Sequence, residues 1–368
     1  MSATRFDKLA ASLRNSGLDA VALNPGPTLV HLTGLHFHLM ERPVVLFFAP
    51  GQAPAVVLPE LETQKLVGLP FEITAFPYGE NPADWNSVFE SAVRSLGLDG
   101  KAIGVETLHM RLLEYGYVKS GAPGANYPDA SAALSALRIR KDAGEIENMR
   151  KAVKVAQNAL EAALKNFKVG MTEKEFASEL TVQLLRGGSE PEMPFSPIVS
   201  GGLNGANPHA SPSDRPIVQG DLLVIDWGAT VNAYISDLTR TFAVGDLEPE
   251  YRMIHEIVQE ASAAGRAAGK PGVPCANVDI AARTVIEKSG YGQFFTHRTG
   301  HGIGMEGHEE PYMRGDNRQR LEEGMAYTVE PGIYLPGRNG VRIEDDMVVT
   351  KDGSESLSDM PRKIRVIG

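Results

Sequence analysis

The sequence predicts an α+β protein with two domains: an N-terminal α/β domain, then a domain in which helices pack on one face of a curved antiparallel sheet. A length of 368 residues favours two domains. A turn-rich stretch at 121–128 (Gly-Ala-Pro-Gly-Ala-Asn-Tyr-Pro) marks the boundary, which we place between residues 1–135 and 136–368. Before it, helical and strand patterns alternate. After it, amphipathic helices are interspersed with β-type runs.

The first 135 residues open with a helix, because Phe6, Leu9, Ala10 and Leu13 share one helical face. The elements predicted next are a strand at 19–23, a hairpin formed by 44–48 and 55–58, a helix from about 84 to 96 and a strand at 102–105. This domain contains no dense cluster of polar residues and no phosphate-binding glycine pattern. It therefore indicates little about chemistry.

The second domain begins with a long amphipathic helix that starts near Asp142. Another helix opens at Thr172, with Glu175 three residues later as a capping box. Two more helices are predicted over residues 250–265 and 278–289. Conspicuous acidic residues lie in the β-type runs between and after these helices. Their placement predicts a functional site on the sheet face opposite the helices.

Composition excludes several classes of function. A formal net charge of −10 argues against nucleic acid or an anionic membrane as the main partner. The single cysteine, Cys275, excludes an internal disulfide framework and is interpreted as a packing residue in a reducing compartment. The first residues lack a signal-peptide pattern, and no run approaches 18 apolar residues, so we expect a cytoplasmic protein.

Five polar residues stand in apolar or glycine-rich stretches of the second domain, where such side chains are unusual. They are Asp226, Asp237, His301, Glu330 and Glu344. A carboxylate buried alone is costly, so several that converge in one interior need cations or protons. The pattern therefore predicts a metal site.

The spacing of the acids predicts two hairpins. Asp226 and Asp237 are 11 residues apart, with a midpoint between Val231 and Asn232 that would place them roughly opposite each other. Glu330 and Glu344 are 14 residues apart, with a midpoint at Gly337 inside a Pro-Gly-Arg-Asn-Gly turn. Each hairpin can direct a carboxylate pair at a common point, although a register slip of one residue would separate them.

The donor set indicates which metal fits. Four carboxylates and one imidazole form an oxygen-rich set that favours Mn²⁺, Co²⁺ or Fe²⁺ over a thiolate-type zinc site. Bridging carboxylates allow two ions to lie ~3.5–4 Å apart and share a hydroxide for hydrolysis. The alternative for any single acid is a turn cap or a salt bridge, and we assign that role to Asp345 and Asp346, with Asp345 pointing away from Glu344.

These residues resemble the ligand set of the pita-bread metallopeptidases, in the prolidase and Xaa-Pro aminopeptidase branch. The matching segments are 225–229 (Ile-Asp-Trp-Gly-Ala), 236–242 (Ser-Asp-Leu-Thr-Arg-Thr-Phe), 297–304 (His-Arg-Thr-Gly-His-Gly-Ile-Gly), 329–334 (Val-Glu-Pro-Gly-Ile-Tyr) and 340–345 (Gly-Val-Arg-Ile-Glu-Asp). The resemblance covers the whole chain. It implies a creatinase-like N-terminal domain that dimerises, followed by a pita-bread catalytic domain.

The resemblance also implies residue roles. Asp226 and Asp237 would chelate one metal, His301 would bind the other, and Asp237, Glu330 and Glu344 would bridge or complete the pair. Glu330 would also handle the proton of the attacking water.

Outside the ligand set, His209 and His308 would stabilise the oxyanion and pass a proton to the leaving nitrogen. His297 matches a histidine of the substrate pocket. For Arg342 two roles stay open: holding a substrate carboxylate or orienting a metal ligand, against a salt bridge to Asp345 or Asp346.

A loop at residues 36–42 contains His38 and Arg42. In relatives, a loop of the partner subunit can overhang the active site, so we hypothesise that this loop measures substrate length. The alternative is a solvated loop without a catalytic part.

The sequence thus predicts a cytoplasmic, homodimeric metallopeptidase with two divalent ions, Mn²⁺ or Co²⁺ before Zn²⁺ or Fe²⁺, that hydrolyses short Xaa-Pro peptides. The 14-residue glutamate spacing and compact length favour a dipeptidase (prolidase). Three alternatives remain: an Xaa-Pro aminopeptidase acting on longer peptides, hydrolysis of a non-peptide amide or amidine, and a scaffold without turnover. The filled ligand set speaks against the last.

Overall fold

A computed structural model describes residues 2–368, with side chains from residue 5 onward. The chain divides into two compact units, Met1–Arg138 and Ile139–Gly368. Each unit builds its own hydrophobic core.

The first unit is a five-stranded mixed sheet with helices on both faces. Its helices are α1 (Ser2–Asn15), α2 (Pro27–Thr33), α3 (Pro82–Ser95), α4 (Leu112–Gly121) and α5 (Ser131–Arg138). Its strands are β1 (Ala20–Leu23), β2 (Val45–Phe48), β3 (Ala55–Pro59), β4 (Thr74–Tyr78) and β5 (Ile103–Val105), in the order β4-β3-β2-β1-β5. The predicted hairpin is present, because β2 pairs with β3 in antiparallel register.

Alternation along β1 explains the two cores of this unit. Val21 and Leu23 point to the side covered by α1 and α5, whereas Ala20 and Ala22 point to the side covered by α3 and α4. The helix α2 was not predicted. Its first residue is Pro27, and proline at the first helical position removes no intrahelical hydrogen bond.

The second unit contains four helices among the residues that the structure describes. They are α6 (Ala143–Leu164), α7 (Glu173–Arg186), α8 (Pro249–Ala268) and α9 (Ala276–Lys288). The predicted capping box at Thr172 and Glu175 is present, and Asp142 with Glu145 forms another. These caps fix where α6 and α7 begin.

The strands of this unit form two main sheets and two short ribbons. The strands are β6 (Ile198–Gly201), β7 (Leu222–Trp227), β8 (Thr230–Val231), β9 (Tyr234–Ile235), β10 (Leu238–Val244), β11 (Gly300–Gly302), β12 (Glu309–Met313), β13 (Ala326–Val329), β14 (Gly332–Tyr334), β15 (Gly340–Arg342), β16 (Asp345–Val349), β17 (Ser354–Ser356) and β18 (Val366–Ile367). One sheet has the order β18-β10-β7-β6 and the other β12-β11-β13-β16-β17. The ribbons are β8-β9 and β14-β15.

The β-structure that the sequence predicted as a curved antiparallel sheet is present as two main sheets and two ribbons. A single bridge between Thr239 and Glu344 connects the two main sheets. Helices α6 and α7 cover β7 and β10 through a core that includes Trp227, which is fully buried. Helices α8 and α9 pack against β14 and β15. These contacts leave the acidic ends of the strands directed into a cavity.

Candidate metal centre

Asp226 and Asp237 lie on one long hairpin. Strands β7 and β10 pair Asp226 with Thr239, and the ribbon β8-β9 continues the same register to a turn at Asn232 and Ala233. The turn centre is one residue later than predicted. The two aspartates therefore share a face but are offset by two residues instead of lying opposite each other.

Glu330 and Glu344 lie on a second hairpin, and here the predicted register holds. Strands β13 and β16 pair Val329 with Asp345, and β14 and β15 pair Gly332 with Arg342. Continuing that register places Glu330 opposite Glu344, with Gly337 at the centre of the turn.

His301 lies in β11 between two glycines that allow a close approach to neighbouring backbone. A Cβ at Gly300 would overlap the carbonyl oxygen of Thr328 on β13, so a larger residue does not fit there. Nδ1 of His301 is 3.1 Å from the carbonyl oxygen of Gly302. Because a carbonyl only accepts, Nδ1 donates, and the Nε2 lone pair is available to a metal.

The ligand atoms of three of these residues are close together. Asp237, His301 and Glu344 each present an atom within 4.8 Å of the others. His301 Nε2 is 3.4 Å from Glu330 Oε1 and 3.7 Å from Asp237 Oδ2. All of these side chains are buried or nearly so.

The buried carboxylates of the cluster repel one another, so a bound cation would stabilise them. Burial, and then the charges of neighbouring carboxylates, raise the pKa of Asp237 and of Glu344 well above the ordinary value. Burial also raises the pKa of Glu330 to about 7. Among the described residues, Oδ1 of Asp226 and Oδ1 of Asp237 are buried without a hydrogen-bond partner. Oriented carboxylate oxygens and an available imidazole nitrogen are suitable ligands for a divalent cation.

A second layer of side chains orients these acids. Arg342 donates from Nη2 to Asp226 Oδ2 at 2.5 Å, and Thr239 donates to Glu344 Oε2 at 2.7 Å. The backbone amide of Asp237 donates to Asp346 Oδ2 at 3.1 Å. Metal ligands are commonly held by such outer contacts.

The acids beside Glu344 take different roles. Asp345 accepts from Arg240 at 2.7 Å and from Arg362 at 2.6 Å, so it is the salt-bridge residue that alternation predicted. Asp346 pairs with no arginine in the described part of the chain: it contacts the amide of Asp237, and burial raises its pKa well above the ordinary value. The alternative of a salt bridge from Arg342 to Asp345 or Asp346 is not what the structure contains.

A cavity of about 1350 Å³ opens onto the cluster. It is lined by all five candidate ligands and also by His209, His297, His308 and Arg342. The sequence predicted a site on the sheet face opposite the helices, and helix α9 also contributes Asp279 and Arg283 to the cavity wall.

His297 lines the cavity but its ring is committed to the protein. Nδ1 donates to the carbonyl oxygen of Arg298 at 2.7 Å, and Nε2 accepts from the hydroxyl of Tyr334 at 2.9 Å. That hydroxyl in turn accepts from Arg342 Nη1 at 3.0 Å. Burial lowers the pKa of His297 to about 4, which keeps the ring neutral.

The ring of His308 lies beside that of His301, tilted by 42°, with ring centroids 4.0 Å apart. Its Nδ1 is 3.2 Å from Nη2 of Arg298. A guanidinium can only donate, so Nδ1 accepts, and neutral His308 carries its proton on Nε2. Burial, and then the charge of Arg298, lower the pKa of His308. His209 is exposed at the cavity wall.

His38 and Arg42 belong to the first unit, whereas the residues that line the cavity come from the second. Residues 36–42 form a loop, as predicted. Arg42 donates to Glu80 at 2.9 and 3.2 Å and to Glu41 at 2.9 Å, and His38 is exposed.

Sequence reasoning missed several residues that support the site. They contact the candidate ligands, contact one another or line the cavity wall, and they are Thr239, Thr328, Tyr334, Asp279, Arg283 and Arg298. No periodic pattern marks them, because their partners are distant in the chain. Thr239, Arg298 and Tyr334 lie in segments that resemble the metallopeptidases, and that resemblance was the signal available for them.

A buried carboxylate–imidazole cluster at the base of an open cavity is the site of a metal-dependent hydrolase. Residues 147–351 match metallopeptidase family M24, and residues 5–140 match the creatinase/prolidase N-terminal domain. The chain belongs to metallopeptidase family M24. This membership confirms the predicted fold class and the assignment to the metallopeptidases.

Relatives resemble the chain over its full length. An Xaa-Pro dipeptidase of Lactobacillus helveticus is 32% identical over 98% of this chain and 98% of its own. The crystal structure of a dipeptidase from Pyrococcus horikoshii OT3 has a TM-score of 0.93 at 33% identity, covering 99% of this chain and 100% of that one. The crystal structure of a prolidase from Thermococcus sibiricus also has a TM-score of 0.93, at 32% identity, covering 100% of this chain and 99% of that one.

No helix in the described part of the chain combines the length and apolar character needed to cross a membrane.

Proposed function

We propose that this protein hydrolyses Xaa-Pro dipeptides with a pair of divalent metal ions, Mn²⁺ or Co²⁺, held by Asp226, Asp237, His301, Glu330 and Glu344. One observation carries the proposal: these five side chains line a single cavity, and oxygen atoms in it lack partners among the described residues. Relatives named Xaa-Pro dipeptidase and prolidase support the choice of substrate.

The metal pair supplies Lewis acidity and lowers the pKa of water. Asp226 and Asp237 would hold one ion, His301 would hold the other, and Asp237, Glu330 and Glu344 would complete the pair. Glu330 would also accept the proton of the attacking water. Its Oε1 lies 3.4 Å from His301 Nε2, which keeps it at the centre of the cluster.

The outer residues act on the substrate. His308 carries its proton on Nε2, so it donates a hydrogen bond to the developing oxyanion or the leaving nitrogen. His209, exposed at the wall, shares this task. His297 shapes the wall and positions Tyr334, and Arg342 orients Asp226, because both are already committed to protein contacts.

A proline nitrogen after the scissile carbonyl carries no N–H, and the ring fixes φ. An enzyme for this bond therefore cannot use a hydrogen bond from that nitrogen and must rely on a preformed cavity and on activation of the carbonyl. The buried, closely packed walls around Thr299, His301 and Arg342 provide such preorganisation.

An assay panel tests the proposal. Metal-free enzyme is reconstituted separately with Mn²⁺, Co²⁺ and Zn²⁺ and assayed with Ala-Pro, with a longer Ala-Pro peptide and with an N-acetylated amino acid. We expect chelator-sensitive cleavage of Ala-Pro that Mn²⁺ or Co²⁺ restores. Preference for the longer peptide would make the enzyme an Xaa-Pro aminopeptidase. Cleavage of the acetylated amino acid alone would make it a non-peptide amide hydrolase.

We also propose a cytoplasmic homodimer in which the loop at residues 36–42 limits substrate length. Replacing His38 and Arg42 by alanine tests the loop. We expect the ratio of dipeptide to tripeptide cleavage to fall, and unchanged kinetics for both substrates would remove the idea. Sedimentation at equilibrium measures the oligomer.

A further inference from the structure

The charge on the far end of a dipeptide needs a partner in the cavity. A dipeptide has its free carboxylate on the residue that follows the scissile bond. In a partly buried site, the free-energy cost of desolvating a carboxylate is not offset unless a cation contacts it. An arginine that faces the cavity with donors to spare is the side chain best shaped for it.

Four arginines line the cavity, and three of them are already occupied: Arg283, Arg314 and Arg342. Arg342 is 3% exposed and donates to Asp226, Thr239, Tyr334 and Pro208.

Arg283 and Arg314 are also engaged. Arg283 donates to both oxygens of Asp279 and to the carbonyls of Phe295 and His297. Arg314 is mostly exposed and pairs with Asp316.

Arg298 is different. In the described part of the chain its guanidinium has no carboxylate within salt-bridge distance, and its one side-chain hydrogen bond goes to His308 Nδ1 at 3.2 Å. The guanidinium lies over the ring of Tyr312, 4.3 Å from the centroid. Stacking on the ring fixes the plane of the guanidinium and leaves its edge available to a second partner.

Arg298 is also close to the reacting centre. It contacts His308, whose ring is 4.0 Å from that of His301 by centroids. In an extended dipeptide the terminal carboxylate lies about one residue length, ~3.3–3.6 Å, beyond the scissile bond. Its partner must therefore lie beside the reacting centre, as Arg298 does across the ring of His308.

We propose that Arg298 binds the C-terminal carboxylate of the dipeptide and so determines the preference for dipeptides over longer peptides. The inference rests on the proposed dipeptidase function and replaces Arg342 in the role of carboxylate partner. Tyr312 holds the guanidinium in place for this contact.

The test compares substrates within one enzyme. Metal-loaded wild type, Arg298→Met and Arg298→Lys are assayed with Ala-Pro and with its C-terminal amide, which lacks the charge. We expect wild type to favour Ala-Pro by ~10–100-fold in kcat/KM, the range of a charge-assisted hydrogen bond. Arg298→Met should bring that ratio close to one, and Arg298→Lys should leave part of it. Retained amide cleavage shows that the variant is folded.

Arg314→Met is the matched control, because it removes a cation from the same cavity that already has an acidic partner. The inference is overturned if the Arg298→Met ratio stays at the wild-type value, or if Arg314→Met collapses the ratio instead. Equal losses for Ala-Pro and the amide would also overturn it, since Arg298 would then act only through His308.

These outcomes separate the inference from the proposed function. If wild type cleaves another dipeptide but not Ala-Pro, the Xaa-Pro assignment fails, and the same comparison is made with that dipeptide and its amide. If wild type cleaves longer peptides and no dipeptide, the dipeptidase assignment and the role of Arg298 both fail.

Discussion

Three consecutive acids at the start of β16, Glu344 to Asp346, show how environment separates residues of like chemistry. Glu344 faces other carboxylates and its pKa is raised well above the ordinary value, first by burial and then by Glu330. Asp345 is equally buried, but Arg240 and Arg362 hold its pKa below the ordinary value. Asp346 supports the backbone of Asp237. Alternation along the strand assigns each its side, and the partners on that side assign its role.

This contrast predicts opposite effects on stability for two substitutions. In metal-free protein at pH 8, Asp237→Asn removes a buried like charge, so the free energy of unfolding should rise by on the order of 1 kcal/mol. Asp345→Asn removes the partner of buried Arg240 and half-buried Arg362 and should lower it by about 3–5 kcal/mol. Asp237→Asn should nevertheless lose metal and activity.

Chemical denaturation of both variants, with metal content measured in parallel, checks these signs. If metal-free Asp237→Asn were less stable than wild type, the repulsion within the cluster would be refuted.

At this scale the sequence singled out the candidate ligands but not the residues that support them. Asp226 or Glu330 could be singled out because a charged residue in an apolar run is conspicuous without knowledge of the fold. The contact of Thr239 with Glu344 joins residues 105 positions apart, and a threonine in a strand carries no signal of its own. Arg298 was named only as part of a motif, since its stacking on Tyr312 depends on tertiary structure.

At the scale of elements, two hairpins deliver the four carboxylates. The turn of the first uses Asn232 and Ala233 at φ of 49° and 64°, a left-handed conformation that costs alanine energy. The second turn has Gly337 at φ 70°, where glycine pays no such cost. The sequence located the second centre because its glycines and proline mark it. The predicted centre of the first turn was wrong by one residue, because an alanine gives no sequence signal for a positive φ.

Reciprocal substitutions test these turns. Ala233→Gly should raise the free energy of unfolding by about 0.5–1 kcal/mol, because the left-handed strain is relieved. Gly337→Ala should lower it by about 1–2 kcal/mol, since a Cβ there meets no atom within 4 Å and only the backbone is strained. Thermal unfolding of the two variants beside wild type measures both changes. A loss of stability in Ala233→Gly would contradict the assigned turn.

At the scale of the whole molecule, each unit encloses its own core, and the catalytic unit buries ionisable groups outside the metal centre. Cys275 is fully buried and burial raises its pKa to about 12, so it packs as the sequence predicted. His255 on α8 is buried to 2% exposure, and burial, then the charge of Arg240, lowers its pKa to about 4.

His255 predicts how stability depends on pH. Its folded pKa of about 4 lies below the ordinary value of 6.5, so between these values the unfolded chain binds a proton that the folded protein does not. Stability should therefore fall as pH drops from 6.5 to 4, with up to about 3 kcal/mol from this residue. In His255→Gln this contribution is absent, so the stability difference from wild type should shrink towards pH 4. A constant difference from pH 7 to pH 4 would contradict the assignment.

The division into two units followed from length and a turn-rich boundary, and the class of the second unit from helices followed by β-type runs. The splitting of its sheet could not be predicted, because the single bridge between Thr239 and Glu344 depends on how two hairpins meet. Helix α9 reaches the cavity through Asp279 and Arg283 for the same reason: the helical pattern identifies an apolar face but not what its polar face meets.

Anomalous X-ray diffraction at the manganese edge, from crystals grown with excess Mn²⁺, tests the central claim most directly. The account predicts two strong peaks enclosed by Asp226, Asp237, His301, Glu330 and Glu344. The absence of peaks there, or peaks bound only by other side chains, would contradict it.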